Sequence, residues 1–189
     1  MKARKDKNID DVIVFTPEVF EDNRGYFFES FNYKKIRDIL KNDFNFIQDN
    51  QSLSKFGTVR GIHYQVDKPQ AKLVRVVKGE IFDVAVDLRS KSKTFGQWAA
   101  CKLSDSNLKQ LWIPEGFGHG FKVLSEVAVV QYKTTEYYYP ENERCILWND
   151  INLNINWPET TSLLVSDKDQ AGKDFHYSRE WYHLVHPHQ

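Results

Sequence analysis

The sequence predicts a mainly β fold, a sandwich, jelly roll or barrel with few helices. Three observations carry that expectation. Short runs with strand-like alternation, broken by turn residues, recur along almost the whole chain. Only one stretch has clear helical spacing. No repeat, low-complexity linker or Pro/Gly-rich boundary divides the 189 residues, a length that suits one domain with a full core. The expectation is therefore a single unit over 1–189, with an irregular aromatic tail from about 173 that either packs on a neighbouring subunit or frays.

In chain order, the candidate strands are 12–15, 26–31, 44–52, 59–65, 72–77, 81–88, 96–103, 110–113, 120–123 and 127–138. The helix is expected over 33–40, with Asn32 as its cap and Tyr33, Ile36 and Leu40 on one face. Lys78-Gly79, between two valine-rich runs, reads as a hairpin turn. Alternation then sorts side chains by face. In 81–88, Phe82, Val84, Val86 and Leu88 oppose Asp83, Ala85 and Asp87. Gln48, Asn50 and Ser52 align, as do Val130, Tyr132, Thr134, Glu136 and Tyr138. Phe27 aligns with Glu29, His63 with Gly61 and Gln65, and Lys72 with Val74 and Val76. One such strand would only present a solvated face; many together favour a barrel with a polar-lined interior.

Composition excludes several classes. Lys plus Arg and Asp plus Glu both number 26, with no long run of either sign, so nothing resembles a nucleic-acid or membrane-surface protein. No apolar run approaches a membrane span, and the opening MKARKDKNIDD lacks the apolar core of a signal peptide. Cys101 and Cys145 sit alone in strand-like contexts, and a cytoplasmic protein with reduced thiols is the simplest reading, with one disulfide as the alternative.

The richest stretch is Thr58-Val59-Arg60-Gly61-Ile62-His63-Tyr64-Gln65. A histidine inside a strand and facing an enclosed space suits proton transfer, because imidazole titrates nearest neutral pH. Taken alone, it reads better as a buried structural histidine. Its neighbours change the balance. FEDNRGYFFESFN (20–32), QDNQSLSK (48–55), RGIHYQ (60–65), KLVRVVKGEIFDVAVDLR (72–89), TFGQW (94–98), QLWIPEGFGHGF (110–121), YKTTEYYYP (132–140), ILWND (146–150) and INWP (155–158) follow one another in order. Together they closely resemble the dTDP-4-dehydrorhamnose 3,5-epimerase family, cofactor-independent isomerases of the cupin superfamily. The likeness runs from about residue 12 to about residue 172. Tyr64 and Gly118 are mild departures from the pattern.

The resemblance implies a cupin-type jelly roll, a dTDP-linked 4-keto-6-deoxy sugar as substrate, and a homodimer. It implies proton loss and regain on the opposite face at C3 and C5, beside the ketone. It matches His63 to the base, Asp169 to the carboxylate that orients it, Tyr132 to the acid, and Lys72 to the cation near the keto oxygen. Asp167 lies so near in sequence that pattern alone does not separate it from Asp169. Arg60 matches a diphosphate contact, and Asp83 and His119 match inward-facing polar positions. Nucleotide binding falls to Arg24, Glu29, Gln48, Asp49, Asn50, Glu143 and Lys168, with Tyr138 stacking on the base. Taken singly, these residues would read as capped strand tyrosines, loop aspartates and solvated surface groups.

No cofactor is expected. No catalytic metal is expected either, because His63 is followed by Tyr64 and Gln65 and the H-x-H ligand pair of metal-binding cupins is missing. His183, His186 and His188 read as a solvated tail. The rivals are an enzyme acting at C3 or C5 alone, a relative acting on another nucleotide 4-keto sugar, a non-catalytic sugar-binding cupin, and a metal-dependent dioxygenase.

Overall fold

The computed structural model describes residues 1–176. The residues from 177 to the C-terminus, including most of the expected tail and its three histidines, lie outside that range. The elements are β1 (Lys2–Lys5), β2 (Ile13–Thr16), β3 (Val19–Asp22), β4 (Gly25–Phe28), α1 (Tyr33–Leu40), β5 (Gln48–Lys55), β6 (Thr58–Gln65), β7 (Lys72–Lys78) and β8 (Glu80–Asp87). They continue with β9 (Trp98–Ser104), β10 (Gln110–Ile113), β11 (Phe117–Val123), β12 (Val127–Thr134), β13 (Glu143–Cys145), β14 (Leu164–Val165) and α2 (Asp167–Gln170).

Two sheets form the body. One runs β1-β2-β10-β7-β12-β5; the other runs β13-β6-β11-β8-β9, with β14 joining β6. The main core lies between them and includes Val74, Val76 and Val130 from the first sheet and Ile81, Ala85, Leu103 and Phe121 from the second. The predicted β sandwich is thus what forms.

Each sheet also buries its outer face. On the first, Phe15, Leu73 and Trp112 pack under α1 through Ile36, with Phe31, Phe44 and Phe46 closing the edge. Helix α1 occupies the predicted range, and the Asn32 side chain caps it by accepting the Lys35 N–H. On the second, Val84, Val86 and Leu88 meet Ile146, Leu153 and Trp157. The face division read in 81–88 therefore holds. Asp87, fully buried, accepts from Arg89, Ser92 and Thr94 and holds the following turn.

Several sequence expectations are corrected. Lys78-Gly79 is not a hairpin turn. β7 and β8 belong to different sheets, and Gly79, at φ 82°, carries the chain across the sandwich. Strand β5 begins at Gln48, not at Phe44, because Phe44 and Phe46 are drawn into the aromatic layer against Trp112. Strand β12 ends at Thr134, whose hydroxyl donates to the Glu136 carbonyl as the chain turns. The sequence reading missed β1, an all-exposed KARK edge strand with no apolar alternation.

Among the described residues, no helix is long and apolar enough to cross a membrane, and both cysteines are free thiols.

Candidate active site

A cavity of about 420 Å³ opens between the two sheets. The first sheet lines it with Gln48, Asn50 and Ser52 from β5, Lys72 from β7 and Tyr132 from β12. The facing sheet supplies Arg60 and His63 from β6, His119 and Phe121 from β11, and Glu143 from β13. Imidazole and phenol therefore stand on opposing walls of one space.

The alternation on β6 is broken to achieve this. His63 pairs with His119 and Arg60 with Phe121, so three steps on β6 answer two on β11. The extra residue is a bulge, and it turns Arg60 and His63, three apart, to the same face. Gly61 permits it. Its φ is 98°, and a Cβ there would sit 2.4 Å from the His119 carbonyl oxygen.

His63 donates through Nε2 to Asp169 Oδ1 at 2.6 Å, while the other carboxylate oxygen, Oδ2, accepts the Gly61 N–H at 3.3 Å. The carboxylate comes from α2, whose cap, the Ser166 side chain, accepts the Asp169 N–H. Asp169 is 3% exposed. Burial pushes its carboxyl upward, but the bonds from His63, Gly61 and Ser166 outweigh that and hold it below the usual carboxylate range. With Nε2–H given to a carboxylate, Nδ1 is left as the ring atom able to accept a proton. Asp169, and not Asp167, meets the histidine. Cys145, directly opposite His63 in the β13–β6 register, donates weakly from Sγ to Asp169 Oδ1 at 3.8 Å. Burial and Asp169 push its thiol up to about 12.

A second pair stands behind the wall. His119 Nε2 lies 3.0 and 3.1 Å from the two oxygens of Asp83, and its ring meets Tyr132 edge-on at 6.3 Å. Asp83 is completely buried behind His119. Burial lowers the His119 pKa despite Asp83, so its imidazole is neutral. Burial raises that of Tyr132, which keeps its phenol protonated. Lys72 is 8% exposed, with its ammonium 5.9 Å from the centre of the Tyr132 ring. Desolvation brings its pKa down to about 8, with Asp83 and Glu143 opposing the shift.

The mouth is a polar cluster. Tyr138 donates its hydroxyl to Glu143 at 2.8 Å, and Lys168 pairs with the same carboxylate. Burial favours protonating Glu143, but these two donors hold its pKa below the usual value. The backbone of 137–139 is fixed from both sheets. Gln48 accepts the Tyr138 N–H, and Gln65 bonds the backbone of Tyr137 and Tyr139. Arg60 donates to Ser54, and Gln48 donates to Asn50.

Three expected binding residues fall elsewhere. Asp49 alternates away from Gln48 and Asn50, pairs with Lys133, and lines a separate hollow on the outer face of the sheet. Arg24 sits beyond β3 and pairs with Asp22. Glu29 follows β4 and bonds Asn32 and Lys35 beside α1. Other residues near the cavity are not singled out by the sequence: Ser52, Phe121 and Ser166 line it, and Cys145 lies beside His63. Ser52 was placed on the right face but given no role, and its buried hydroxyl has no protein partner. Cys145 carried no signal without its strand partner. For a metal, the donor cluster found among the described residues is His63, Cys145 and Asp169, with one ligand atom from each lying within 4.8 Å of the others.

Comparison with known proteins places the chain among its relatives. The family model described as dTDP-4-dehydrorhamnose 3,5-epimerase matches residues 6–177. A Pseudomonas aeruginosa protein of that name is 54% identical over 167 residues, covering 88% of this chain and 92% of that one. The solved structure of a Legionella pneumophila dTDP-6-deoxy-D-glucose-3,5-epimerase, in complex with dTDP-4-keto-L-rhamnose, superimposes with a TM-score of 0.90 at 45% identity, covering 93% of each chain. ChmJ, a 3'-monoepimerase from Streptomyces bikiniensis solved with dTDP-quinovose, gives 0.87 at 30% identity, covering 94% of this chain and 90% of that one. The chain belongs to the dTDP-4-dehydrorhamnose 3,5-epimerase family.

Proposed function

We propose that this protein epimerises a dTDP-linked 4-keto-6-deoxyglucose at C3 and C5 to the 4-keto-L-rhamnose form. The observation that carries the reading is the placement of His63 and Tyr132 on facing sheets of one cavity. Epimerisation beside a ketone needs a base on one face of the ring and an acid on the other.

His63 Nδ1 takes the proton, and Asp169 stabilises the imidazolium as it forms. Lys72 holds the enolate oxygen; its pKa near 8 leaves it mostly charged at neutral pH. Tyr132, kept protonated by burial, returns a proton from the far side. His119, fixed through Nε2 by Asp83, offers Nδ1 to a sugar hydroxyl. Arg60 takes the diphosphate, Gln48 and Asn50 read the pyrimidine edge, and Tyr138 stacks on the base at a mouth shaped by Glu143 and Lys168. No step in this scheme calls for a cofactor or a metal.

A homodimer belongs to the same proposal. The β3–β4 hairpin exposes Phe20, Tyr26 and Phe27 at 56, 58 and 67%. Arg24 and Glu29, displaced from this cavity, lie on or beside that hairpin and would serve a second copy's site. The two free thiols support a reducing, cytoplasmic setting.

The test is incubation with dTDP-4-keto-6-deoxyglucose in heavy water. Deuterium is expected at both C3 and C5. Label at one carbon alone would make this a monofunctional enzyme like ChmJ, and label at neither would favour another substrate or a binding module.

A further inference from the structure

Cys145 takes no part in the reaction scheme, yet the fold holds it against the proposed base. It lies opposite His63 in the β13–β6 register, and directly paired residues on antiparallel strands project to the same face. Asp169 Oδ1 is a shared vertex, 2.6 Å from His63 Nε2 and 3.8 Å from Cys145 Sγ. Three different elements, β6, β13 and α2, thus deliver an imidazole nitrogen, a sulfur and a carboxylate oxygen within 4.8 Å of one another.

That donor set is mixed nitrogen, sulfur and oxygen. It suits a borderline-soft divalent ion such as Zn²⁺, with bond lengths of about 2.0–2.3 Å, and not Mg²⁺ or Ca²⁺, which favour oxygen donors. Three protein ligands leave a fourth position, which water from the adjoining cavity could fill. The second oxygen of Asp169, held by the Gly61 N–H, fixes the carboxylate from behind.

We propose that His63, Cys145 and Asp169 form an inhibitory site for a thiophilic divalent cation. Binding replaces the thiol proton, which leaves to solvent, and moves the Nε2 proton of His63 to Nδ1. No electron changes hands. The imidazole then has no free lone pair, so the metal and proton abstraction exclude each other. The site itself rests on geometry alone; its inhibitory effect rests on the proposed role of His63.

The test uses the full chain without substrate, titrated with Co²⁺ as a spectroscopic stand-in for Zn²⁺. A thiolate-to-cobalt charge-transfer band should grow to equimolar metal and be displaced by Zn²⁺. In parallel, Zn²⁺ should halt solvent deuterium exchange. Cys145→Ser should keep full metal-free exchange, lose the band, and need about tenfold or more Zn²⁺ for the same inhibition. Equal Zn²⁺ sensitivity in Cys145→Ser, or no thiolate band in the unaltered protein, would overturn the site. Replacing His183, His186 and His188 by alanine should change neither readout; loss of inhibition there would assign the effect to the tail and overturn the proposal. A band accompanied by undiminished exchange would overturn the inhibitory claim. A protein that shows the band but never exchanges the sugar, even metal-free, would instead defeat the epimerase reading and leave the metal site standing.

Discussion

Two histidine–aspartate pairs face each other across neighbouring strands, and they are not equivalent. His63 and His119 are register partners on β6 and β11. The His63 side chain is 28% exposed and has one short bond to an aspartate brought in from α2. The His119 side chain is 6% exposed and meets both oxygens of a fully buried aspartate on the adjacent strand β8. The same chemical pair is thus used twice. A histidine with one ring nitrogen open to a cavity can exchange protons with a ligand. One that is almost enclosed, with burial keeping it neutral, lines the same cavity as a hydrogen-bonding group. The chemistry of each pair is set by its access to the cavity, not by its composition.

The comparison breaks most visibly at the base. His63→Ala should slow deuterium exchange by about 10³-fold or more while dTDP binding, measured by calorimetry, stays near that of the unaltered chain. Persistent exchange would mean that His119 or another group does the work. Asp169→Asn should slow exchange by about 10²–10⁴-fold, and Asp167→Asn should hardly change it. A crippled Asp167→Asn would reassign the orienting carboxylate. Asp83→Ala should instead be read in stability, with urea unfolding showing a loss of about 2–3 kcal/mol because a buried imidazole N–H loses its hydrogen-bond partner.

The pH profile sharpens the picture. Lys72 has a lowered pKa, about 8 against an ordinary 10.5, so it is charged below about 8 and neutral above. Exchange should fall as pH rises through that value, and Lys72→Arg should move the falling limb upward. Folding has the opposite slope. Between about 8 and 10.5 the unfolded chain binds more protons at this residue, so its contribution to stability grows with pH. The smallest effect is expected at Ser52, a cavity-lining residue whose hydroxyl is buried without a protein partner. Ser52→Ala should leave urea unfolding unchanged or more stable by up to about 1 kcal/mol, because it removes a buried polar group that makes no bond.

Much of this architecture was legible in the residues. The helix was marked by local chemistry, the Asn32 cap and the Tyr33, Ile36, Leu40 stripe, and local chemistry survives folding unchanged. The apolar face of Phe82, Val84, Val86 and Leu88 was visible because strand alternation is a property of the backbone itself. The same rule carried Gln48, Asn50 and Ser52 to the cavity and also sent Asp49 to the other face, against the motif. Alternation failed at Arg60 and His63, where a bulge adds a residue that no local pattern announces.

What the sequence by itself determined was the β character, the helix, the inward-facing polar strands and the family. These are written in short-range periodicity and in motifs that follow one another along the chain. Only the tertiary structure decided that Lys78-Gly79 crosses between sheets, that Asp169 and not Asp167 meets His63, that Asp83 stands behind His119, and that Cys145 sits beside them. Each of those is a contact between residues far apart in the chain or on strands whose partners are chosen by packing. Such contacts exist only once two sheets have closed over a common core.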